Sequence, residues 1–313
     1  MGGMKKTLYL LTGCTATGKT GLALHWAERF GAEIVSCDAM LFYRGMDIGT
    51  AKPTVAERAR APHHLIDVSP VDEAFDVGHY ASRARRAVED IEARGRRPLV
   101  VGGSGFYLMS YLRPVVDAVR VDRGTRERVE SLWQREGLAG LRAALERCNP
   151  GGLGGLDTAN ARRVARALER CWASGRPLDE LEADFRRQPA PFPEYAKRVC
   201  VVERGDDDLK RRIAARAEKM VAAGLVEEVR ALRGRGLEKN PAARRAIGYR
   251  ETLEWIAEGK RGSLAELAQR IAGNTWKLVK KQKTWFRRQL PEAGRIFLTD
   301  ENEGDVDDLF LPE

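Results

Sequence analysis

Gly13, Gly18, Lys19 and Thr20 stand at the spacing G-x-x-x-x-G-K-[ST] within "GCTATGKT". That spacing suits a phosphate chain: glycines let the backbone curl so that successive N–H groups point into the mouth of a helix, where the helix dipole also favours an anion. Lys19 adds a full positive charge, and the Thr20 hydroxyl can hold Mg²⁺. The loop alone does not choose among kinase, NTPase and transferase, because all three need an anion cradle. Further on, "EIVSCDAMLFYRGMDIGTAKP" carries Ser36 and Asp38. A carboxylate there can ligate Mg²⁺, cap a helix or act as a base. "GGSG" brings a second glycine-rich turn with the Ser104 hydroxyl, read either as a site or as a packing turn. From Asn274 to Leu290 the chain has Lys277, Lys280, Lys281, Lys283, Arg287 and Arg288, no acid, and interleaved Trp276, Trp285 and Phe286. On residues alone that is a solvated basic face or a set of phosphate contacts.

Positioning these groups calls for alternating strands and helices, hence a parallel sheet with helices packed on it. Thr7–Thr12 reads as the first strand, and Ala23, Trp26, Ala27 and Phe30 mark the buried face of the helix after the loop. Glu33–Cys37 reads as strand two, which puts Ser36 and Asp38 at its carboxyl end, where open α/β sheets bind ligands. "HHLID" is a short third strand, and Pro98–Val101 a buried fourth after a helix through Tyr80, Ala84, Ala87, Val88 and Ile91 that Gly95 ends. Between Pro114 and about Pro193 only helical patterns appear, broken by "NPGGLGGLD" and "RRQPAPFPE". Val199–Val202 reads as the last strand. Two amphipathic helices parted by Gly224 follow, and a capping box of Ser263 and Glu266 opens a long helix with a stripe of Leu264, Leu267, Ile271, Leu278 and Trp285. The expected architecture is an α/β sheet like that of P-loop NTPases, residues 1–115 and 196–299, interrupted by an all-helical insertion, 116–195, and ended by an acidic tail, 300–313.

Net charge is +9, yet residues 300–313 hold seven acids and no base, so the rest carries +16. A polyanionic partner and an ordinary basic surface both fit. Five scattered cysteines, an odd number with no pair at metal-ligand spacing, argue against a disulfide framework and a zinc set. No apolar run reaches the roughly 18 residues of a membrane span, and the N-terminus reads as a strand rather than a leader, so a cytoplasmic chain with no membrane partner is expected.

"GCTATGKT", "VSCDAMLFYRGMDIGTAKP", "PHHLIDV", "PLVVGGSGFYL", "RRVARALE", "GLVEEV", "AIGYRE" and "KQKTWFRR" occur in this order over about residues 7–290. Their order and spacing resemble those of the bacterial tRNA dimethylallyltransferases. The resemblance implies transfer of a dimethylallyl group from dimethylallyl diphosphate to the exocyclic amine of the adenosine 3′ of the tRNA anticodon. It implies that Gly13, Thr15, Ala16, Thr17, Gly18, Lys19, Thr20 and Arg245 hold the donor diphosphate, with Mg²⁺ on Thr20. Asp38 resembles the family's catalytic base, with Ser104 and Lys19 beside it in catalysis. The anticodon stem-loop would meet Asp38, Ala39, Met40, Leu41, Arg162, Arg163, Arg166, Arg250, Lys280, Lys281, Gln282, Lys283, Thr284 and Trp285. The chain is expected to act as a monomer.

Departures from the family pattern are Cys14 for proline, Ala39 for serine, Ser104 for threonine, Asn160 for aspartate and Lys281 for arginine. A thiol at Cys14 raises an expectation of oxidation beside the donor. His63 and His64 read as packing or hydrogen-bonding residues rather than catalysts. Two other readings share the loop. One is prenylation of free adenine nucleotides, which needs neither the insertion nor the basic helix. The other is a kinase with an arginine lid, Arg123 or Arg126.

Overall fold

A computed structural model of the chain describes residues 6–259, 262–300, 302, 307, 309 and 310. It divides into a main unit, Met1–Leu112 with Phe192–Glu313, and a second unit, Arg113–Pro191. The main unit begins with β1 (Lys6–Gly13), α1 (Lys19–Phe30), β2 (Ala32–Ser36), α2 (Val55–Arg60), β3 (His63–His64), α3 (Val77–Ala93), β4 (Arg97–Gly102) and α4 (Gly105–Met109). The second unit holds α5 (Arg123–Cys148), α6 (Ala161–Ser174) and α7 (Leu178–Arg187). The chain then returns through β5 (Tyr195–Glu203), α8 (Asp206–Ala222), α9 (Leu225–Gly234), α10 (Tyr249–Ala257), α11 (Leu264–Gln289) and β6 (Gly294–Phe297).

All strand pairs are parallel, in the order β3-β2-β4-β1-β5-β6. A parallel sheet covered on both faces favours continuous apolar strands, and Leu8, Leu10 and Leu11 of β1 are fully buried. The expected P-loop-like parallel sheet is therefore present. Four expectations change. The core ends at Leu112 rather than 115 and resumes at Phe192 rather than 196, because β5 starts at Tyr195 and pairs with β1 from Lys6↔Tyr195 to Gly13↔Val202. β5 is not the last strand: β6 adds to its outer side, with a burial pattern too exposed to stand out from sequence. The third strand is only His63–His64, since Leu65 and Asp67 take positive φ and turn the chain away.

In the second unit, α5 and α6 pack Val129, Leu141 and Leu145 against Val164, Leu168 and Cys171. Gly137, at φ 61°, ψ −153°, breaks α5 in its middle. Asn160 caps α6 through the Arg163 amide, so the departure from aspartate keeps the cap. No helix of the described residues is long and apolar enough to cross a membrane.

The described part of the acidic tail is not a free appendage. Leu309 is buried, the Phe310 ring lies 5.2 Å from Trp26 and 5.1 Å from Tyr9, and Asp307 pairs with Arg29 of α1 at 2.9 Å. Residues 301, 303–306, 308 and 311–313 lie outside the described residues. On α11 the capping box forms as expected, but the buried stripe is Leu267, Ala268, Ile271, Val279 and Phe286, while Leu264 and Leu278 are exposed. The expected stripe of Leu264, Leu267, Ile271, Leu278 and Trp285 thus combines residues of the core face with neighbours outside it.

One buried contact ties the sheet to the phosphate loop. Arg204, just past β5, is 1% exposed; its Nε donates to the Thr17 carbonyl at 2.9 Å and its Nη1 meets Asp208 at 2.5 Å and Asp300 at 3.2 Å. Removing one partner of a buried ion pair costs on the order of 3–5 kcal/mol, because the remaining charge and carbonyl stay desolvated. Arg204→Met is expected to lose about that much in urea unfolding. Asp300→Asn, at a side chain 66% exposed, should lose less than about 1 kcal/mol. Equal losses would show that the brace does not act through the buried guanidinium.

Candidate active site

The loop between β1 and α1 has the curled geometry its glycines allow. Gly13 sits at φ +152°, and a Cβ there would stand 2.4 Å from the Val202 carbonyl oxygen of β5, so no side chain fits. Ala16 takes φ +66° despite its Cβ, a strained conformation that persists only where surroundings impose it. Arg212 of α8 supplies that constraint, donating from Nε to the Ala16 carbonyl at 3.0 Å. The Thr17 hydroxyl and the Lys19 ammonium both donate to the Cys14 carbonyl, at 2.9 and 2.8 Å. α1 starts at Gly18, which has no side chain to cap it, and its first turn carries no acid. Its opening amides therefore have no intrahelical acceptor and carry the positive end of the helix dipole, an anion site.

Two cavities open beside the loop. The narrower, about 100 Å³, is lined by Lys19, Thr20, Ser36, Leu41 and His63, the wider, about 830 Å³, by Ala39, Met40, Ser104, Arg245, Arg250, Lys281 and Trp285. They share Thr15, Asp38, Thr50, Gly103, Arg216 and Gln282. Asp38 thus stands where the two meet. Its Oδ1 accepts the Met40 amide at 3.0 Å, and the Ser104 hydroxyl oxygen accepts the Ala39 amide at 3.0 Å. Both bonds fix the turn after β2 and leave the Ser104 proton to be donated elsewhere.

Burial pushes the Lys19 pKa down to about 8, against the pull of the Asp38 charge. The same two causes act on Arg216, which burial also lowers. Two desolvated cations and one carboxylate therefore face one space, which favours an added anion. Burial raises the Cys14 thiol to about 11, so it stays protonated and enclosed, and the expected oxidation does not follow from its environment.

The loop carrying "DIGTAKP" is held from outside. Glu228 of α9 accepts the amides of Asp47, Ile48 and Gly49 at 3.1, 2.7 and 3.2 Å and the Tyr249 hydroxyl at 2.6 Å. Lys52, buried, bonds the Tyr43 carbonyl and Asp67, so it is an anchor. His64 pairs with Glu33 at 2.6 Å, and His63 bonds the Ala61 carbonyl and is kept neutral by burial. Both histidines thus make the hydrogen bonds the sequence suggested, and His63 also lines the narrower cavity.

Of the residues expected on the RNA side, Ala39, Met40, Arg250, Lys281, Gln282 and Trp285 line the wider cavity and Leu41 the narrower. Gln282 is also a tie: its Oε1 accepts the Thr15 amide at 3.1 Å and its Nε2 donates to the Gly103 carbonyl at 2.9 Å. Lys283 forms an ion pair with Asp206, and the Thr284 hydroxyl bonds the Lys280 carbonyl of its own helix. Lys280, Lys283 and Thr284 do not line either cavity, since they lie on another face of α11. Arg245 lines the wider cavity rather than the narrower one beside Lys19. Arg162, Arg163 and Arg166 are exposed on α6, with Arg163 3.8 Å from Asp157 and Arg166 2.6 Å from Glu169.

Sequence reasoning passed over Arg216, whose guanidinium donates to the Thr50 carbonyl at 3.1 Å. One signal was there: Arg216 falls on the same helical face as Leu209, Ile213 and Met220, an odd place for a cation unless it meets an anion. For a metal, the described residues hold no cluster of three or more His, Cys, Asp or Glu suited to one. Thr20 does line the narrower cavity together with the Ser36 hydroxyl, a buried oxygen with no hydrogen-bond partner among the described residues. Such a set fits an Mg²⁺ held mainly by phosphate oxygens, as this hard cation commonly is.

The profile of a family described as IPP transferase matches residues 41–289. The tRNA dimethylallyltransferase of Opitutus terrae is 56% identical over 292 residues, 93% of each chain, and that of Deinococcus radiodurans 42% identical over 90% of each. Among solved structures, the tRNA isopentenylpyrophosphate transferase of Bacillus halodurans aligns with a TM-score of 0.67 and 30% identity over 96% of this chain and 93% of its own. A eukaryotic dimethylallyltransferase acting on tRNA aligns with a TM-score of 0.82 over 97% of this chain and 76% of its own; at 23% identity it speaks for the fold. With a matching profile over most of its length and relatives this close, the chain belongs to the IPP transferase family.

Proposed function

We propose that the protein is a tRNA dimethylallyltransferase, moving the dimethylallyl group of dimethylallyl diphosphate onto the exocyclic amine of the adenosine 3′ of the anticodon. The observation that carries this reading is the meeting of two cavities at Asp38, one beginning at the phosphate loop and one wide enough for a nucleoside and rimmed by cations. A base in a stem-loop is stacked, so reaching its amine requires extruding it into a pocket.

An adenine amine is a weak nucleophile because its lone pair is delocalised into the ring. The reaction therefore needs a base on one side and a stabilised leaving group on the other. The amine nitrogen forms the new bond to the allylic carbon, the C–O bond breaks, and its electron pair leaves on the diphosphate. Asp38 takes the N6 proton through the oxygen not committed to the Met40 amide. The amides opening α1, with Lys19 and Arg216, meet charge that grows as the C–O bond breaks, an interaction stronger in the transition state than before it. The Ser104 proton is free to donate to the departing oxygen. Mg²⁺ at Thr20 would supply further neutralisation of the diphosphate.

Purified protein given dimethylallyl diphosphate, Mg²⁺ and unmodified tRNA is expected to yield tRNA heavier by one prenyl unit in mass spectrometry. Asp38→Asn should slow single-turnover transfer by about 10²–10⁴-fold, the usual worth of a general base. Prenylation of AMP but not tRNA would favour the free-nucleotide reading, and ATP consumption with a small acceptor would favour the kinase. Lys19 sets a pH dependence. In the free protein it loses its proton above about pH 8, and a bound diphosphate holds that proton, so binding takes one up. The donor KM should therefore rise above about pH 8, approaching roughly tenfold per pH unit. Lys19→Met should flatten that profile; an unchanged slope would remove Lys19 from donor binding.

A further inference from the structure

We infer that Phe106 is a stacking platform for an unpaired nucleobase of the RNA substrate, a neighbour of the base that reaches Asp38; this rests on the transfer reading above. Phe106 is 59% exposed, the most exposed phenylalanine among the described residues, in the first turn of α4. Phe106 also lines the wider cavity. The turn that carries it is stiff: the Tyr107 and Leu108 amides both donate to the Ser104 carbonyl at 3.0 Å, and the Tyr107 hydroxyl donates to the Phe75 carbonyl at 3.1 Å. Gly105 lies so close on the Trp285 indole that a Cβ would stand 2.7 Å from its ring atoms. The ring is thus presented by a backbone with little freedom to lose on binding.

The company around Phe106 selects the ligand. Lys277, Lys281 and Arg250 line the same cavity. An apolar peptide seated on the ring would have to desolvate these cations without neutralising them. A single-stranded RNA loop offers the ring a π-face and the cations its phosphates, the pairing by which unpaired nucleotides are held. Position favours an adjacent base: Phe106 is two residues beyond Ser104, whose hydroxyl holds the Ala39 amide next to Asp38. Because any base has a π-face, the platform holds the loop without reading its sequence.

The test is steady-state prenylation by Phe106→Ala and Phe106→Trp, together with tRNA Kd by mobility shift, using unmodified tRNA and tRNAs abasic at one or the other nucleotide flanking the target. Phe106→Ala is expected to raise tRNA KM and Kd on the order of 10- to 100-fold, the usual effect of losing one aromatic–base stack. Donor KM should stay within about twofold, Phe106→Trp should retain binding, and one abasic tRNA should bind wild type and Phe106→Ala alike. The proposal is overturned if Phe106→Ala leaves tRNA Kd within about twofold, if its penalty is the same on every abasic tRNA, or if it dissolves a dimer while tRNA binding holds. A thermal midpoint equal to wild type separates these results from misfolding, and Phe106→Leu replaces the alanine variant if the midpoint falls. Wild-type protein that binds tRNA but never prenylates it would sink the transfer reading alone, with the Kd comparison still deciding the platform.

Discussion

A backbone that turns its amides toward an anion turns carbonyls the other way, and buried carbonyls need donors. That demand organises the main unit. Arg204 reaches the Thr17 carbonyl, Arg212 the Ala16 carbonyl, and Lys19 and Thr17 the Cys14 carbonyl, while Gln282 accepts the Thr15 amide. Three of these five residues come from β5's end, α8 and α11, far along the chain from the loop they shape. Ala16 keeps its left-handed backbone only under such bracing. The cradle is therefore a tertiary object, though its motif spans eight residues.

Electrostatics follow from the same enclosure. Lys19 and Arg216 are both made less basic by burial, and Asp38 is the charge that offsets it for both. On the transfer reading proposed above, an arriving diphosphate would relieve the cations of that cost.

α11 serves two masters at helical spacing. Leu267, Ala268 and Val279 are buried away from the wider cavity, Ile271 and Phe286 are buried in its wall, and Asn274, Lys277, Leu278, Lys281 and Trp285 line it as well. Trp285 in turn sets the closeness of Gly105 and hence the attitude of the turn bearing Phe106. Lys283 belongs to neither face and is spent on Asp206.

The phosphate loop, the parallel sheet, the helical insertion and Asp38 were legible in the residues, because each depends on local spacing: glycines at fixed offsets, apolar runs of strand length, a carboxylate at a strand's end. Arg204, Arg212 and Arg216 were not, since a chain rich in arginine does not say which guanidinium loses its water. Nor could spacing divide α11 between core and cavity, shorten the strand at His63–His64, or predict β6 from four residues with no buried position. Sequence by itself determined the chemistry on offer, since residue types and short-range geometry are written in it. Tertiary structure alone decided which groups are desolvated, braced and brought to one cavity, because burial and carbonyl satisfaction depend on segments hundreds of residues apart.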